Sequence, residues 1–392
     1  MPPSHNRPTT AVVGGVVSKL APSAVQLVLL LLVARRAGLD DVGRLALASA
    51  VAFLCGNLAE VGTMTSLSLP KAYFGVASPP LRATRGVRWA GALGGTLLYA
   101  VLWAAGLGSH ETVFLAALAL PALLALSFGY AGALNATGAL GLEGAISLVE
   151  SGLMVGLAFA FFPVMSPVAA ALVALSVGRA AGTVARAVAV RTRPRSDEAR
   201  IEGALRSQLG FLATSAAIVV EGQADVVVLG FLGGTFALLG VYAPLIRTCY
   251  ATFLIAEGLT LAMYSFDEGG LRRWRARGLA VGVVAAVAFG LLAEPLLEWV
   301  LDRTLHDLTW PVVLLALLIP VRFYGYVLGV DLVRAGKQAA RIPALLVATV
   351  VLVGGAIAGW QTGSLTWLSS FRLASELAIA GGFLLAVRRL RT

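Results

Sequence analysis

The sequence predicts an all-α membrane protein with about twelve transmembrane helices and with both termini in the cytoplasm. Three observations carry this prediction: a series of long apolar segments, an uneven distribution of Lys and Arg between the connections, and a low content of charged residues. Only 13% of the 392 residues are charged and 58% are hydrophobic. Soluble proteins carry about 25% charged residues, so the composition indicates a chain that lies mostly in lipid.

Twelve apolar segments are each close to, or longer than, the roughly 20 residues that an α-helix needs to cross the hydrocarbon core of a bilayer. They run over 11–34, 42–69, 87–108, 112–134, 142–163, 167–190, 207–230, 236–263, 278–300, 310–333, 341–360 and 366–387. The first segment is too long for the apolar part of a cleavable signal peptide, so we expect it to remain as a membrane anchor.

The basic residues outside these segments fall almost entirely on one side of the predicted membrane. If the N-terminus is cytoplasmic, the two tails and the even-numbered connections hold twenty Lys and Arg residues, against four in the odd-numbered connections, when each connection is counted with the first three residues of the segment that follows it. This asymmetry predicts a multi-pass protein of the bacterial inner membrane with both termini inside. The net charge of +10 is then explained by basic loops that face anionic lipid headgroups, and no nucleic-acid partner is expected.

The longest charged connection, residues 191–206, divides the predicted helices into two equal groups. We therefore predict an N-terminal six-helix bundle over 1–190, a cytoplasmic linker over 191–206, and a C-terminal six-helix bundle over 207–392.

The two predicted bundles are related by a weak internal repeat. Gly43 precedes Glu60 by 17 residues, and Gly240 precedes Glu257 by the same interval, 197 residues further along the chain. Two bundles formed by a repeat in the same orientation are a common plan of membrane transporters.

Catalytic or metal chemistry finds no support in the sequence. The connections are too short to hold a catalytic domain, and the only cysteines, Cys55 and Cys249, lie in different segments without the spacing of metal ligands. We expect a protein that is not an enzyme and has no cofactor or metal, apart from a coupling ion, H⁺ or Na⁺.

Ionisable residues at membrane depth are the candidates for function, because each is costly there unless it is paired or lines a wet cavity. Five basic residues are predicted to bind the substrate: Arg322, Arg247, Lys19, Arg179 and Arg372. A planar guanidinium suits phosphate oxygens, so these residues indicate a phosphate or pyrophosphate headgroup. Buried ion pairs between helices are the alternative, and Arg372 also has Glu376 one turn along its own helix.

Four acidic residues are candidates for binding a coupling ion or proton. Glu221 and Asp225 are one turn apart on the same helix face, and two close carboxylates raise each other's affinity for a proton. The alternative is that arginines of a neighbouring helix neutralise them. Glu60 and Glu257, which the internal repeat matches, are the second pair of candidates.

Two segments carry a resemblance to a known family: QADVVVLGFLGGTFALLGVYAPLIR at 223–247 and VLGVDLVRAGKQAAR at 327–341. With the topology and the repeat, they make the chain similar to the Wzx-type polysaccharide flippases of the MOP exporter superfamily, which have a MATE-like fold. The resemblance implies that two bundles enclose a central cavity and that a lipid-linked oligosaccharide moves from the inner to the outer leaflet. It further implies that the cavity is lined by Lys19, Arg247, Glu60, Glu221, Asp225 and Glu257.

The partners expected for such a flippase are the lipid-linked oligosaccharide, membrane lipids, a polysaccharide polymerase and glycosyltransferases. A cation-coupled multidrug exporter of the same superfamily is the alternative, for which we would expect an acidic and aromatic cavity. A membrane glycosyltransferase or polymerase is an alternative of another class, with Asp40 and Asp41 as its acids; these residues equally suit the start of a helix. The last alternative is a scaffold protein that has lost its transport activity.

Overall fold

The computed structural model is helical, and it contains no β-strand in the residues that it describes. These residues are 8–60, 62–68, 78–107, 115–193, 201–232, 236–263, 268–301, 308–335 and 337–391.

The helices are numbered here in chain order. They are α1 (Pro8–Ala37), α2 (Leu39–Glu60), α3 (Thr63–Ser68), α4 (Arg85–Leu102), α5 (Leu120–Ala136), α6 (Leu140–Phe161), α7 (Pro167–Arg191), α8 (Ile201–Phe231), α9 (Phe236–Met263), α10 (Glu268–Leu301), α11 (Thr309–Arg334), α12 (Ile342–Thr362) and α13 (Leu365–Arg391). A π-helical turn, Trp103–Leu107, continues α4, and a 3₁₀ turn, Gln338–Arg341, precedes α12.

The twelve predicted segments coincide with helices, and the predicted all-helical membrane fold is confirmed. The segment 42–69 is divided into α2 and α3 at Gly62, which has a φ of +69° that side-chain-bearing residues rarely adopt. Within the described residues, eleven helices are long and apolar enough to cross a membrane, and α4 is not among them. The chain is therefore a multi-pass membrane protein, while the number and direction of its crossings remain predictions.

Local signals in the sequence set several of the helix ends. The Ser166 side chain accepts a hydrogen bond from the Ala169 N–H and caps α7, and Pro167 occupies the first position of that helix, where a proline costs no hydrogen bond. Gly363, with a φ of +65°, ends α12 in the left-handed conformation that glycine adopts most easily.

The described chain divides into two compact units. The first unit comprises Met1–Val25 and Val51–Val219, and the second comprises Gln26–Ala50 and Val220–Thr392. This division differs from the predicted bundles, since the end of α1 and the start of α2 belong with the second unit. In the structure α7 ends at Arg191 and α8 begins at Ile201; residues 194–200 lie outside the described part, and the cytoplasmic linker over 191–206 stays a prediction.

Glycines explain why residues 26–50 pack with the second unit. A Cβ on Gly43 of α2 would overlap the carbonyl oxygen of Phe236, the first residue of α9. A Cβ on Gly240 of α9 would likewise overlap the carbonyl oxygen of Leu39, the first residue of α2. Only glycine allows the two backbones to approach this closely, so α2 and α9 are held together at their first turns.

Candidate functional site

The second unit contains a buried group of five charged side chains, which we call the second-unit charge cluster. Its members come from α8, α11 and α13, and they are Glu221, Asp225, Arg322, Arg372 and Glu376. Two of the helices each supply two members one turn apart, and this spacing places both side chains on one helix face. The described helices thus direct three carboxylates and two guanidiniums to one place inside the unit.

Arg372 is the centre of this cluster, and its side chain is completely buried. Its Nη2 atom lies 2.9 Å from Oε1 of Glu221 and 3.4 Å from Oε1 of Glu376. Its Nη1 atom lies 3.7 Å from Oδ2 of Asp225 and donates a hydrogen bond of 3.2 Å to the backbone carbonyl of Glu221. One guanidinium therefore contacts all three carboxylates of the cluster.

Arg322 of α11 supplies the second guanidinium. Its Nη1 atom lies 2.7 and 2.9 Å from the two carboxylate oxygens of Glu376 and 3.4 Å from Oε2 of Glu221. The guanidinium also lies 5.2 Å from the ring centroid of Tyr326 and 5.7 Å from that of Phe253, within the range of a cation–π interaction. Arg322 therefore bridges α8 and α13, in an ion pair between helices of the kind that the sequence analysis gave as the alternative to substrate binding.

Two tyrosines of α9 complete the polar surroundings of the cluster. The Tyr242 hydroxyl donates a hydrogen bond of 2.7 Å to Oδ2 of Asp225. The Tyr250 hydroxyl donates one of 3.2 Å to the carbonyl of Gly222, and its ring lies 5.1 Å from the Arg372 guanidinium. The sequence reasoning missed both tyrosines, although their eight-residue spacing on α9 indicates a shared helix face.

The cluster holds one more carboxylate than it holds guanidiniums. With every group ionised, its net charge is −1, in an environment where Glu221, Arg372 and Glu376 are fully buried. An uncompensated charge is expensive in such an environment. The cluster is therefore arranged so that one additional positive charge would balance it.

Arg247 lies near the middle of α9 and differs from the arginines of the cluster. It is half-buried, and Nη2 donates a hydrogen bond of 3.2 Å to Oε1 of Gln223 on α8. Among the residues that the structure describes, no carboxylate oxygen lies within 4 Å of its guanidinium. Its charge is thus held in place by a neutral amide, and it interacts with Asp225 of the cluster electrostatically, without direct contact.

The first unit contains a separate buried group, the first-unit charge cluster of Glu143, Glu150, Arg179 and Arg186 on α6 and α7. Nε of Arg186 donates hydrogen bonds of 2.9 and 3.0 Å to the two oxygens of Glu143, and its Nη1 pairs with Glu150. Nη1 of Arg179 lies 2.8 Å from Oε1 of Glu150. Two guanidiniums balance two carboxylates here, so Arg179, a predicted substrate ligand, is paired inside its own unit.

The sequence reasoning did not include Glu143 among the acids at membrane depth. The sequence does contain a signal for it, because Glu143, Ser147 and Glu150 recur at the spacing of one helix face. In the structure Ser147 joins the cluster by accepting a hydrogen bond of 2.9 Å from Nη2 of Arg186. A Cβ on Gly182 of α7 would overlap the Glu150 carboxylate, which explains the glycine at that position.

The remaining predicted site residues lie outside the two clusters. Glu60 ends α2 and accepts a hydrogen bond from the Met64 N–H, and it interacts electrostatically with Lys19 of α1 in the same unit. Glu257 of α9 is half-buried and interacts electrostatically with Tyr326. Of the nine predicted residues, the structure brings Glu221, Asp225, Arg322 and Arg372 into direct contact; the roles predicted for all nine remain predictions.

Metal ligands are not gathered anywhere in the described part of the chain: it holds no group of three or more His, Cys, Asp or Glu side chains that could bind a metal ion. The Asp40 and Asp41 pair considered for a glycosyltransferase lies in the first turn of α2, and Asp41 pairs with Arg44 at 2.9 Å.

Comparisons with known proteins show a likeness of fold. No protein-family model matches the sequence, and no curated protein matches it at a significant level. The structure is similar to the inward-facing form of a multidrug resistance MATE family transporter of the MOP superfamily, with a TM-score of 0.66, 14% identity, and coverage of 95% of this chain and 94% of that one.

Two further solved structures show the same similarity of fold. A MATE protein in complex with MaD3S gives a TM-score of 0.66 at 13% identity, over 98% of this chain and 97% of that one. The eukaryotic MATE transporter AtDTX14 gives a TM-score of 0.64 at 14% identity, over 97% and 94%. The chain therefore has a fold similar, over nearly its whole length, to that of the MATE transporters of the MOP superfamily.

Proposed function

We propose that this chain is an exporter of the bacterial inner membrane that moves a polyprenyl-phosphate-linked oligosaccharide to the outer leaflet by alternating access. The observation that carries the proposal is the state of Arg247, a guanidinium at the middle of a membrane helix that contacts no carboxylate among the described residues. A cation at this depth is costly without an anion. A (pyro)phosphate group would supply that anion through charge-assisted hydrogen bonds.

The other predicted substrate ligands have a different place in this proposal. Arg322, Arg372 and Arg179 are each within 3 Å of a carboxylate oxygen, so an anionic substrate would have to compete with a buried partner for them. In this proposal the three arginines stabilise the packing of the helices that their ion pairs connect. Lys19 joins Arg247 as the second candidate contact for the headgroup, as the family resemblance implies.

Coupling to an ion gradient is the second part of the proposal, and it rests on the charge of the second-unit charge cluster. One proton on Asp225 or Glu221 would neutralise its excess negative charge. Guanidinium nitrogens already occupy the space between Glu221 and Glu376, so this geometry favours a proton, which needs no set of ligands, over Na⁺. A carboxylate that is charged in one state and neutral in the other supplies the differential interaction that alternating access requires.

A cation-coupled multidrug exporter is a second candidate, and one observation favours it. The same excess carboxylate, with the rings of Tyr250, Phe253 and Tyr326 around it, would suit a cationic aromatic drug as well as a proton. The two candidates predict different consequences for the loss of Arg247, which a flippase needs and a cation exporter does not.

The test compares Arg247→Gln with Arg322→Gln in proteoliposomes that contain a polyprenyl-diphosphate-linked sugar with a nitrobenzoxadiazole fluorophore. Access of dithionite to the outer leaflet measures translocation. We expect Arg247→Gln to slow translocation about tenfold or more, since a hydrogen bond to a charged group contributes about 1.5–3 kcal/mol, without a change in melting temperature. Arg322→Gln should lower the melting temperature, because it breaks a buried ion pair.

Arg277→Gln, an exposed change on α10, is the matched control and should translocate at the wild-type rate. Wild-type translocation by Arg247→Gln at equal insertion would overturn the flippase proposal. Efflux of ethidium by wild type and by Arg247→Gln alike, without translocation of the lipid, would establish the multidrug candidate in its place.

A further inference from the structure

The first turn of α4 contains a buried guanidinium that none of the proposed functions uses. The Arg88 side chain is only 6% exposed. Its Nη2 atom donates a hydrogen bond of 2.9 Å to the backbone carbonyl of Leu81, and its Cζ atom lies 4.8 Å from the centroid of the Tyr130 ring. Among the described residues, its Nε and Nη1 atoms have no hydrogen-bond acceptor and no carboxylate lies within 4 Å of the guanidinium.

This combination distinguishes Arg88 from the other buried arginines. Arg179 and Arg372 also have an Nε atom without a partner, but each of them has a carboxylate oxygen within 3 Å. Arg88 has two unsatisfied nitrogens, and its partners are the neutral Leu81 carbonyl and the Tyr130 side chain, whose ring and hydroxyl both interact with it. A buried charge left in this condition is unfavourable, and buried polar groups without partners commonly mark an ion or a water that is bound there.

A second unsatisfied donor lies beside it. The Thr63 side chain of α3 is 1% exposed, and its Oγ1 atom has no hydrogen-bond partner. Both side chains converge on Gly129 of α5: a Cβ placed there would lie 2.8 Å from Cδ of Arg88 and 3.5 Å from Oγ1 of Thr63. The Arg88 stem and the Thr63 hydroxyl thus lie beside the same point of α5, where that helix has no side chain. The two side chains offer donors and a positive charge, which is the complement of an oxyanion.

We propose that Arg88 and Thr63 form a binding site for a phosphate group in the first unit. The guanidinium would donate Nη1, the nitrogen on the same side as Cδ, to one phosphate oxygen in a charge-assisted hydrogen bond, and the Thr63 hydroxyl would donate to another. The site is distinct from Arg247, and the proposal does not depend on what the protein transports.

The surface next to the site indicates a lipid headgroup as the source of the phosphate. α4 carries exposed apolar side chains at four-residue intervals, Trp89, Leu93, Leu97 and Val101, of which Trp89 directly follows Arg88. Such a stripe faces acyl chains, and tryptophan is typical of the headgroup level. Free inorganic phosphate offers the same oxygens, so the experiment must distinguish the two sources.

The test uses the whole protein, purified in a mild detergent, in four forms: wild type, Arg88→Gln, Thr63→Val and the control Arg191→Gln. Arg191 is an exposed arginine in the last turn of α7, in the same unit. Native mass spectrometry detects retained phospholipid or phosphate. Melting temperatures are measured with added inorganic phosphate, with short-chain phosphatidylglycerol and with short-chain phosphatidylcholine.

We expect wild type and Arg191→Gln to retain a phosphate-containing adduct and to be stabilised by its source. Arg88→Gln should lower the affinity about tenfold or more, and Thr63→Val by a few fold, as expected for a charged and a neutral hydrogen bond. A phospholipid adduct with stabilisation by phosphatidylglycerol identifies a lipid site, and stabilisation by inorganic phosphate alone identifies a site for free phosphate.

Wild type without any adduct and without stabilisation by either compound would overturn the proposal, as would identical adducts and shifts in wild type and Arg88→Gln. If Arg88→Gln does not fold, the comparison of wild type with Thr63→Val decides: equal retention and equal stabilisation in those two forms counts against the site.

Discussion

Arg372 lies closer to Glu221, 151 residues earlier in the chain, than to Glu376, one turn further along its own helix. The Nη2–Oε1 distances are 2.9 and 3.4 Å respectively. Glu376 in turn makes its shortest contact, 2.7 Å, with Arg322 of α11. The same-helix spacing therefore indicates two residues that share a site, while the closest ion pairs connect different helices.

We expect Arg372→Met to destabilise the protein strongly, because it removes the nearest cation from the buried Glu221. Removing one partner of a buried ion pair lowers the free energy of unfolding by about 3–5 kcal/mol. The measurement is the melting temperature in detergent, with Arg388→Met, an exposed change on α13, as control. Adding Glu221→Leu to Arg372→Met should restore part of the stability. A melting temperature of Arg372→Met equal to that of the control would contradict the prediction.

Asp225→Asn should remove the excess negative charge of the second-unit charge cluster while it preserves the volume of the side chain. The Tyr242 hydroxyl can still donate to the amide oxygen that replaces Oδ2, while the Val226 N–H loses Oδ1 as its acceptor. We therefore expect a folded protein in which transport no longer responds to an imposed pH gradient, measured as flux in proteoliposomes. Tyr242→Phe is the matched control for the lost hydrogen bond and should keep the response. A response of Asp225→Asn equal to that of wild type would exclude Asp225 as the coupling residue, and Glu60 would be tested next.

Gly43→Val and Gly240→Val should each destabilise the packing of α2 against α9 by a similar amount. Either side chain would overlap a backbone carbonyl, and overpacking of this kind costs about 1–3 kcal/mol. The double variant should cost less than the two single changes together, because both separate the same pair of helices. Gly152→Val on α6, where nothing lies within 4 Å, is the control. Additive losses in melting temperature would show that the two contacts act independently.

The charge asymmetry predicts that the connection between α7 and α8 is cytoplasmic. A reporter enzyme that is active only in the periplasm should be inactive when fused after Arg193 and active when fused at Gly38, between α1 and α2. A cytoplasmic reporter should give the opposite pattern. Activity of the periplasmic reporter at Arg193 would require the reverse orientation of the whole chain.

Much of the fold could be predicted from the sequence because membrane helices leave strong local signals. Length and apolar character locate α6 or α12 to within a few residues, since every backbone polar group in lipid must be satisfied within the helix itself. The break at Gly62 could not be predicted, because an isolated glycine in an apolar segment is equally compatible with a continuous helix. The grouping of residues 26–50 with the second unit was also out of reach, because it depends on how closely two distant glycines approach their partners.

The sequence could identify residues of the candidate site, but it could not show which of them form ion pairs with each other. The cost of a charge at membrane depth selected Arg372, Glu221 and Asp225, which are buried, and Arg322, whose side chain is 13% exposed. That cost does not say which helix supplies the compensating charge. Sequence reasoning gave Arg322 as a ligand for an anion because no carboxylate lies one turn away on its own helix, and it left buried ion pairs between helices as the alternative. Arg88 shows the converse case: a position next to a basic loop suggests exposure, while the packing against Tyr130 buries it.

The reciprocal glycine contact has the form of an interface between two identical molecules. Gly43 and Gly240 are 197 residues apart, as are Leu39 and Phe236, so each half of the repeat uses the same patch to bind the same patch of the other. Such mutual use of one surface defines an isologous contact of a two-fold symmetric homodimer. A half-length ancestor could thus have assembled as a dimer through a single glycine position. Its duplication and fusion would have placed that one position in the chain twice, and each copy would then have been free to acquire different charges around it.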